Sequence, residues 1–318
     1  MKRSTDILAT TRKRNYSMIK TSNLVYHAFG LNIDSEIPFL DMPRMEGAPD
    51  VVVNCGKVPS EIPNAKIKGV RYQAGPGAFL LQVDGIAGYY ITEGRRILIE
   101  RKPGATDEEI LLFLMGSAMG ALLHQRNILP LHAGAVQVDG KAVLFIGPSS
   151  IGKSTLAGGF QKRGYALLAD DVCAVSANGD GEAIAIPGFP RLKLWADTLN
   201  KLDTEKSGLT RVRLDHDFKK YFVPFNNTAP EPMPVRSVFV LQSTNTDQFE
   251  VEELMGMGRI EPLLNHTYRP RFLEGLGGKK AHFRLCSQVA DKARVIKVVR
   301  PRKGFRLDEL MDLAERHW

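Results

Sequence analysis

The sequence offers a membrane very little. No window approaches the uninterrupted apolar run of about 20 residues that a spanning helix needs. The most apolar stretch, Ile110 to Leu123, is too short and contains Gly116, Ser117 and Gly120; it reads as a buried helix. Cysteine is scarce. Cys55, Cys173 and Cys286 are odd in number and far apart, which argues against a disulfide framework or zinc site and for a reducing cytoplasm. Met1 to Lys20 is basic and rich in Ser and Thr, with no apolar core and no small-residue cleavage site. It does not read as a secretory signal, and residues 1–21 are expected to form a disordered basic tail. Internal repeats and low-complexity segments are absent. So is any basic module interleaved with aromatics, which argues against a nucleic-acid partner. The most basic run, Lys292 to Arg306, reads as a solvated strand and loop.

What is there is the composition of a soluble globular chain, 43% apolar and 25% charged over 318 residues. That length suits one large domain or two ordinary ones. The net charge of +8 favours anionic partners such as nucleotides. A homo-oligomer is compatible with the sequence and not required by it. Short strands are expected at Leu24–Ile33, Asp50–Asn54, Ala78–Val83, Ala87–Thr92 and Arg95–Arg101, with Gly, Pro or Asp between them. They read as an antiparallel meander, so residues 22–104 are assigned to a small, mainly β N-terminal domain. The pattern then changes. Thr106 and Glu109 form a capping box, and apolar residues continue at helical spacing to Leu123. This helix opens a second, α/β domain over residues 105–318. Within it, strands are expected at Leu131–Val138, Lys141–Ile146, Tyr165–Ala169 and Ser237–Gln242. Helices are expected at Lys153–Arg163, near Trp195–Lys201 and at Leu307–Arg316. Asp139-Gly140 reads as a hairpin turn.

The strand ending at Ile146 runs into Gly147-Pro148-Ser149-Ser150-Ile151-Gly152-Lys153-Ser154-Thr155, a match to G-x-x-x-x-G-K-[ST]. Each residue type has a reason. The glycines let the backbone curl so that successive N–H groups aim at phosphate oxygens. The helix that follows adds its positive N-terminal end. Lys153 supplies a cation to the β and γ phosphates, and Ser154 a hydroxyl to Mg²⁺. Seventeen residues after Lys153, the next strand ends in Ala169-Asp170-Asp171. If that strand neighbours the loop strand, the two carboxylates stand where metal and γ-phosphate lie. One can hold Mg²⁺ while the other takes a proton, and each raises the other's proton affinity. His132 stands on the strand that pairs back through Asp139-Gly140. Alone, a histidine there is more often a core residue than a functional one.

Taken together, Leu131-His132-Ala133-Gly134-Ala135-Val136, the loop Gly147 to Thr155, and Leu168-Ala169-Asp170-Asp171 resemble the catalytic domain of HPr kinase/phosphorylase. The resemblance covers about Leu131 to Val175. It implies a P-loop, PEP carboxykinase-like α/β fold and an ATP- and Mg²⁺-dependent serine kinase. Ala28-Phe29-Gly30-Leu31 with Ser35-Glu36-Ile37-Pro38, and Pro187 to Trp195, look more like the divergent HPr kinase-related kinases. Some of those phosphorylate the C-terminal serine of lasso-peptide precursors. By this resemblance Asp170 is the base, His132 orients it, and Asp171 with Ser154 serves the metal. Tyr268-Arg269-Pro270-Arg271 resembles the family's late Arg-Pro segment, which would bring Arg269 or Arg271 to the transferred phosphoryl group. The chain departs from the regulatory enzyme at Arg191-Leu192-Lys193-Leu194, where a metal-binding Glu is expected. The alternatives are a kinase/phosphorylase acting on HPr or another regulatory protein, and a P-loop ATPase switch with no acceptor.

Overall fold

The computed structural model describes residues 24–39, 42–212, 219–225, 227–229 and 231–318. The tail expected at residues 1–21 lies outside them. The chain builds two large sheets and a two-stranded ribbon. The first sheet runs in the order Met45–Glu46, Leu24–Ala28, Leu31–Ser35, Val51–Cys55, Arg96–Arg101, Ala87–Thr92, Ala78–Val83, Tyr72–Gly75, Ile67–Lys68. Alternating side chains bury one face, with Phe79, Tyr89, Ile91, Ile97 and Ile99 at its centre.

Two expectations need correction here. Leu24–Ile33 is not one strand but a hairpin, turned at Phe29 and Gly30, whose φ values are 57° and 69°. No turn dipeptide marks it. Phe29 is held in the left-handed region by its burial and by its edge-on contact with Phe189 at 5.1 Å. The sheet is also mixed rather than a pure meander. Val51–Cys55 pairs in parallel with both Leu31–Ser35 and Arg96–Arg101.

The capping box closes in both directions. The Glu109 amide donates to Thr106 Oγ1, and the Thr106 amide to Glu109 Oε2. The helix runs Asp107–Phe113, widens to a π-helical segment at Leu114–Ala118, and continues as Met119–Gln125. Its apolar side (Ile110, Leu114, Met119, Leu122) belongs to the core of the first sheet, and Tyr89 Oη donates to Ile110 O. So the helix that follows the first sheet in sequence also completes its core.

The second sheet holds the strands that matter for the site. Met233–Thr244 lies at its centre, flanked in parallel by Lys141–Ile146 and Arg294–Pro301. Ala133–Val138 pairs antiparallel with Lys141–Ile146, and Leu167–Ala169 pairs antiparallel with Ala133–Val138. The acidic strand is therefore not the immediate neighbour of the loop strand. One antiparallel strand separates them, and the two point the same way. This topology delivers five features to one sheet edge. They are the loop after Ile146, the acids after Ala169, His132 ahead of Ala133, the C-terminal end of Met233–Thr244, and Arg300 at the end of Arg294–Pro301. Ligands of open α/β sheets bind at such an edge. The basic run at Lys292–Arg306 is not a solvated strand either. Val295, Ile296 and Val298 are fully buried, although Arg294, Lys297 and Arg300 break the apolar run.

Among the described residues, no helix is long and apolar enough to cross a membrane. The C-terminal half also ties back to the first sheet. The helix Phe272–Leu276 packs on Tyr72–Gly75, with Phe272 and Phe79 centroids 4.3 Å apart. A Cβ on Gly275 would lie 2.3 Å from Ala74 Cβ and 2.7 Å from its carbonyl oxygen. Backbone cannot yield there, so Gly275→Ala is expected to destabilise the protein by about 1–3 kcal/mol. A thermal melt measures it; an unchanged Tm would show that this contact is loose.

Candidate active site

The loop is built by close contacts that only its sequence permits. A Cβ on Gly147 would stand 2.6 Å from Leu241 O. Gly152, at φ 108°, caps the helix Lys153–Lys162. Among the described residues, the amides of Ser149, Ser150, Gly152, Lys153 and Ser154 donate to no acceptor, so the loop presents a row of unused donors. Lys153 is 6% exposed. Its Nζ donates to the carbonyls of Gly147 and Pro148 at 2.8 and 3.0 Å. Burial pushes its ammonium down to about 8, with Asp170 and Asp171 opposing that shift. It is a buried cation without an ion-pair partner among the described residues. Arg300, from the far strand, donates through Nη2 to Ile151 O at 2.9 Å and steadies the loop tip.

The two aspartates have different surroundings. Asp170 is buried; its Oδ1 accepts from Ser154 Oγ at 2.8 Å and its Oδ2 from the Lys193 amide at 3.0 Å. Burial, then the charge of Asp171, pushes its carboxyl up from the usual range. Asp171 sits at φ 70°, in the left-handed region that Asp tolerates better than most residues. Its Oδ2 accepts from Lys193 Nζ at 2.6 Å, and its Oδ1 lies 3.4 Å from His132 Nδ1. Burial alone would raise this carboxyl, but Lys193 and His132 outweigh it and hold it well below the usual carboxylate range. His132 Nδ1 is also 2.9 Å from the Asp171 carbonyl oxygen. A carbonyl only accepts, so Nδ1 carries the proton and a neutral ring has its lone pair at Nε2.

A cavity of 670 Å³ receives the loop from Ser149 to Thr155 together with Asp170, Asp171 and His132. Lys193, Lys220 and Arg300 line it too, as do the aromatic faces of Trp195, Phe249 and Phe305. The sequence reading passed over these six. Lys193 had registered only as the place where a Glu was missing. It and Lys220 come from the ribbon Arg191–Trp195 and Lys220–Pro224, which no local signal announces. Arg269 does not reach this cavity; it lines a second one next to it. Arg271 lines neither and is exposed at the start of the helix Phe272–Leu276.

No family model matches the chain, and no curated protein matches it. Among solved structures it is similar to the Hpr(Ser) kinase/phosphatase from Coxiella burnetii, at 15% identity and a TM-score of 0.31. That match covers 59% of this chain and 89% of the other.

Proposed function

We propose that the chain is an ATP- and Mg²⁺-dependent kinase of the HPr kinase-like type, which transfers a phosphoryl group to a serine hydroxyl. The observation that carries the reading is the 2.8 Å hydrogen bond from Ser154 to buried Asp170, beside the buried and unpaired Lys153. A metal-type hydroxyl, a carboxylate and a cation thus converge under a row of free amides. The donor set suits Mg²⁺, which takes one or two protein oxygens and completes its octahedron with phosphates and water. Among the described residues, no group of three or more His, Cys, Asp or Glu could form a metal cage by itself. In this proposal Ser154 and Asp170 hold Mg²⁺, which neutralises charge on the phosphates when bound. Lys153 and the loop amides bind the phosphates, and the aromatic faces of the cavity receive the base.

We assign the base to His132 rather than to Asp170. Asp170 faces Ser154, and Asp171 is neutralised by Lys193. His132 Nε2 is left as the open lone pair at the cavity, and an imidazole suits proton transfer near neutral pH. The serine oxygen attacks the γ-phosphorus and gives its proton to His132 Nε2. The bond from the γ-phosphorus to the bridging oxygen breaks, and the nucleoside diphosphate leaves with that electron pair. Asp171 and Lys193 position the imidazole and the incoming charge.

The acceptor belongs to a peptide or protein, and the divergent segments favour the C-terminal serine of a lasso-peptide precursor in the cytoplasm. Mass spectrometry after incubation with ATP, Mg²⁺ and parallel acceptors tests this. A phosphate adduct on a serine-terminated precursor, absent from its Ser-to-Ala form, is the expected result. An adduct on HPr alone would move the chain to a regulatory kinase. ADP release without any adduct would make it an ATPase switch.

A further inference from the structure

A second cavity of 440 Å³ adjoins the nucleotide cavity, and the two share His132, Ser149, Asp171, Lys193 and Lys220. Asp170, Ser154 and Lys153 line only the first. The metal-side groups therefore face one chamber, while the proposed base and its supports stand at the boundary of both.

The second chamber has its own construction. Leu112 and Phe113 lead into the π-helical segment and form one wall; Val212 and Tyr268 add apolar surface. Tyr268 is tightly fixed. Its amide donates to Pro130 O at 2.7 Å, and its carbonyl lies 2.9 Å from His124 Nε2. A Cβ on Gly120 would come within 2.9 Å of its ring, and one on Gly116 within 3.1 Å of its hydroxyl. The two glycines thus make room for the tyrosine. Arg269 follows at φ 53°, a conformation unusual for arginine, with its guanidinium 5.5 Å from the Tyr268 ring centre. π-segments and strained backbone gather at functional sites, and here both border one chamber.

The charge of the lining points to the ligand. Among the described residues, Asp171 is the lining carboxylate, and Lys193 already neutralises it at 2.6 Å. Arg269 and Lys220 remain, and among the described residues neither forms an ion pair with a carboxylate. Burial lowers the Lys220 ammonium below its usual range, against the opposing charges of Asp170 and Asp171. The volume falls within the roughly 300–1,000 Å³ of small-molecule sites. It suits a small molecule or a chain end better than the face of a folded domain.

Resting on the phosphotransferase reading, we propose that this second cavity is the acceptor site and takes a carboxylate-bearing alcohol. Arg269 and Lys220 hold the carboxylate, and the hydroxyl turns toward His132. The carboxylate belongs either to a serine at the end of a peptide or to a free hydroxy acid. Arg269 is then the residue that sets acceptor specificity.

The test is calorimetric titration of the full chain, loaded with Mg²⁺ and a non-hydrolysable ATP analogue. The probes are a pentapeptide ending in serine, its carboxamide, and free serine. At least one free-acid probe is expected to bind. If it is the peptide, the carboxamide should bind about tenfold more weakly or worse, the loss of one charge-assisted contact. Free serine binding with the peptide excluded assigns the site to a free hydroxy acid. Arg269→Gln should weaken the free-acid probe to the level of the carboxamide while leaving analogue affinity unchanged. Equal binding of acid and carboxamide, undiminished acid binding by Arg269→Gln, or no binding of any probe would overturn the proposal. Because the readout is binding, it separates the two readings. Carboxylate-dependent binding without phosphate transfer to the bound probe would keep the site and remove the kinase.

Discussion

Lys153→Met is expected to weaken triphosphate binding about a hundredfold and to abolish transfer, with the fold intact. Removing one partner of a desolvated charge contact costs about 2–5 kcal/mol, and each 1.4 kcal/mol is a factor of ten. The methionine keeps the apolar stem of the side chain and loses only the ammonium. In the unliganded protein that ammonium donates to carbonyls, and among the described residues no ion pair offsets its burial, which Asp170 and Asp171 oppose only in part. Two pH dependences follow, of opposite sign. Below about 8 Lys153 is charged; above it the folded, unliganded protein sheds the proton. Triphosphate affinity should therefore fall as pH rises past 8, by about tenfold per unit until the complex itself titrates. Stability of the unliganded protein runs the other way. The unfolded chain keeps its Lys protons up to about 10.4, so stability attributable to this group rises between about 8 and 10.4. Lys153→Met should flatten both. Fluorescence titration with an ATP analogue across pH, beside thermal melts, reads them together. Unchanged triphosphate affinity in the variant would remove the phosphate-loop reading altogether.

The legible parts of this site are those whose geometry is local. The loop from Gly147 to Thr155 announces itself because strand, tight turn, lysine and hydroxyl are contiguous. The acids at 170 and 171 could be read because they end the next strand. The hairpin at Asp139-Gly140 implied that His132 would return near the loop's beginning, and it does, one residue before the strand Ala133–Val138. Groups delivered by long-range pairing were not legible. Arg300 steadies the loop from 149 residues away, on a strand whose apolar Val and Ile are broken up by Lys297 and bounded by Arg294 and Arg300. Lys193 and Lys220 meet at the site only because their two strands pair at Trp195 with Lys220 and Lys193 with Phe222. The turn at Phe29-Gly30 was hidden for a related reason. Gly30 suits the turn, but Phe29 before it is held in the left-handed region by a buried aromatic contact that no local signal announces.

Asp170→Asn is expected to reduce transfer by about a thousandfold while raising the stability of the unliganded protein. The two effects share one cause. Asp170 is buried, next to the negative charge of Asp171, and its carboxyl is pushed above the usual range. For a group raised in this direction, the favourable contribution is complete below the unfolded value. It is lost as pH rises through the folded value, so wherever the carboxylate is ionised it weakens the empty fold. The amide removes that charge; its one oxygen can accept from the Lys193 amide while its NH2 donates to Ser154 Oγ, so Tm should rise. On the proposed reading, that cost in stability serves the binding of the triphosphate and its metal. That purpose separates the two roles open to Asp170. If it holds the metal, Asp170→Asn should demand much more Mg²⁺ for whatever activity remains, and His132→Asn should lower turnover about 10²–10⁴-fold with the Mg²⁺ requirement unchanged. If Asp170 is instead the base, its variant will keep the normal Mg²⁺ requirement and His132→Asn will have the smaller effect. Metal titrations of the two variants, read beside their melts, decide between an acid that gathers charge at the phosphates and one that takes the proton. Full transfer by Asp170→Asn would exclude both roles and leave the Ser154 contact a structural one.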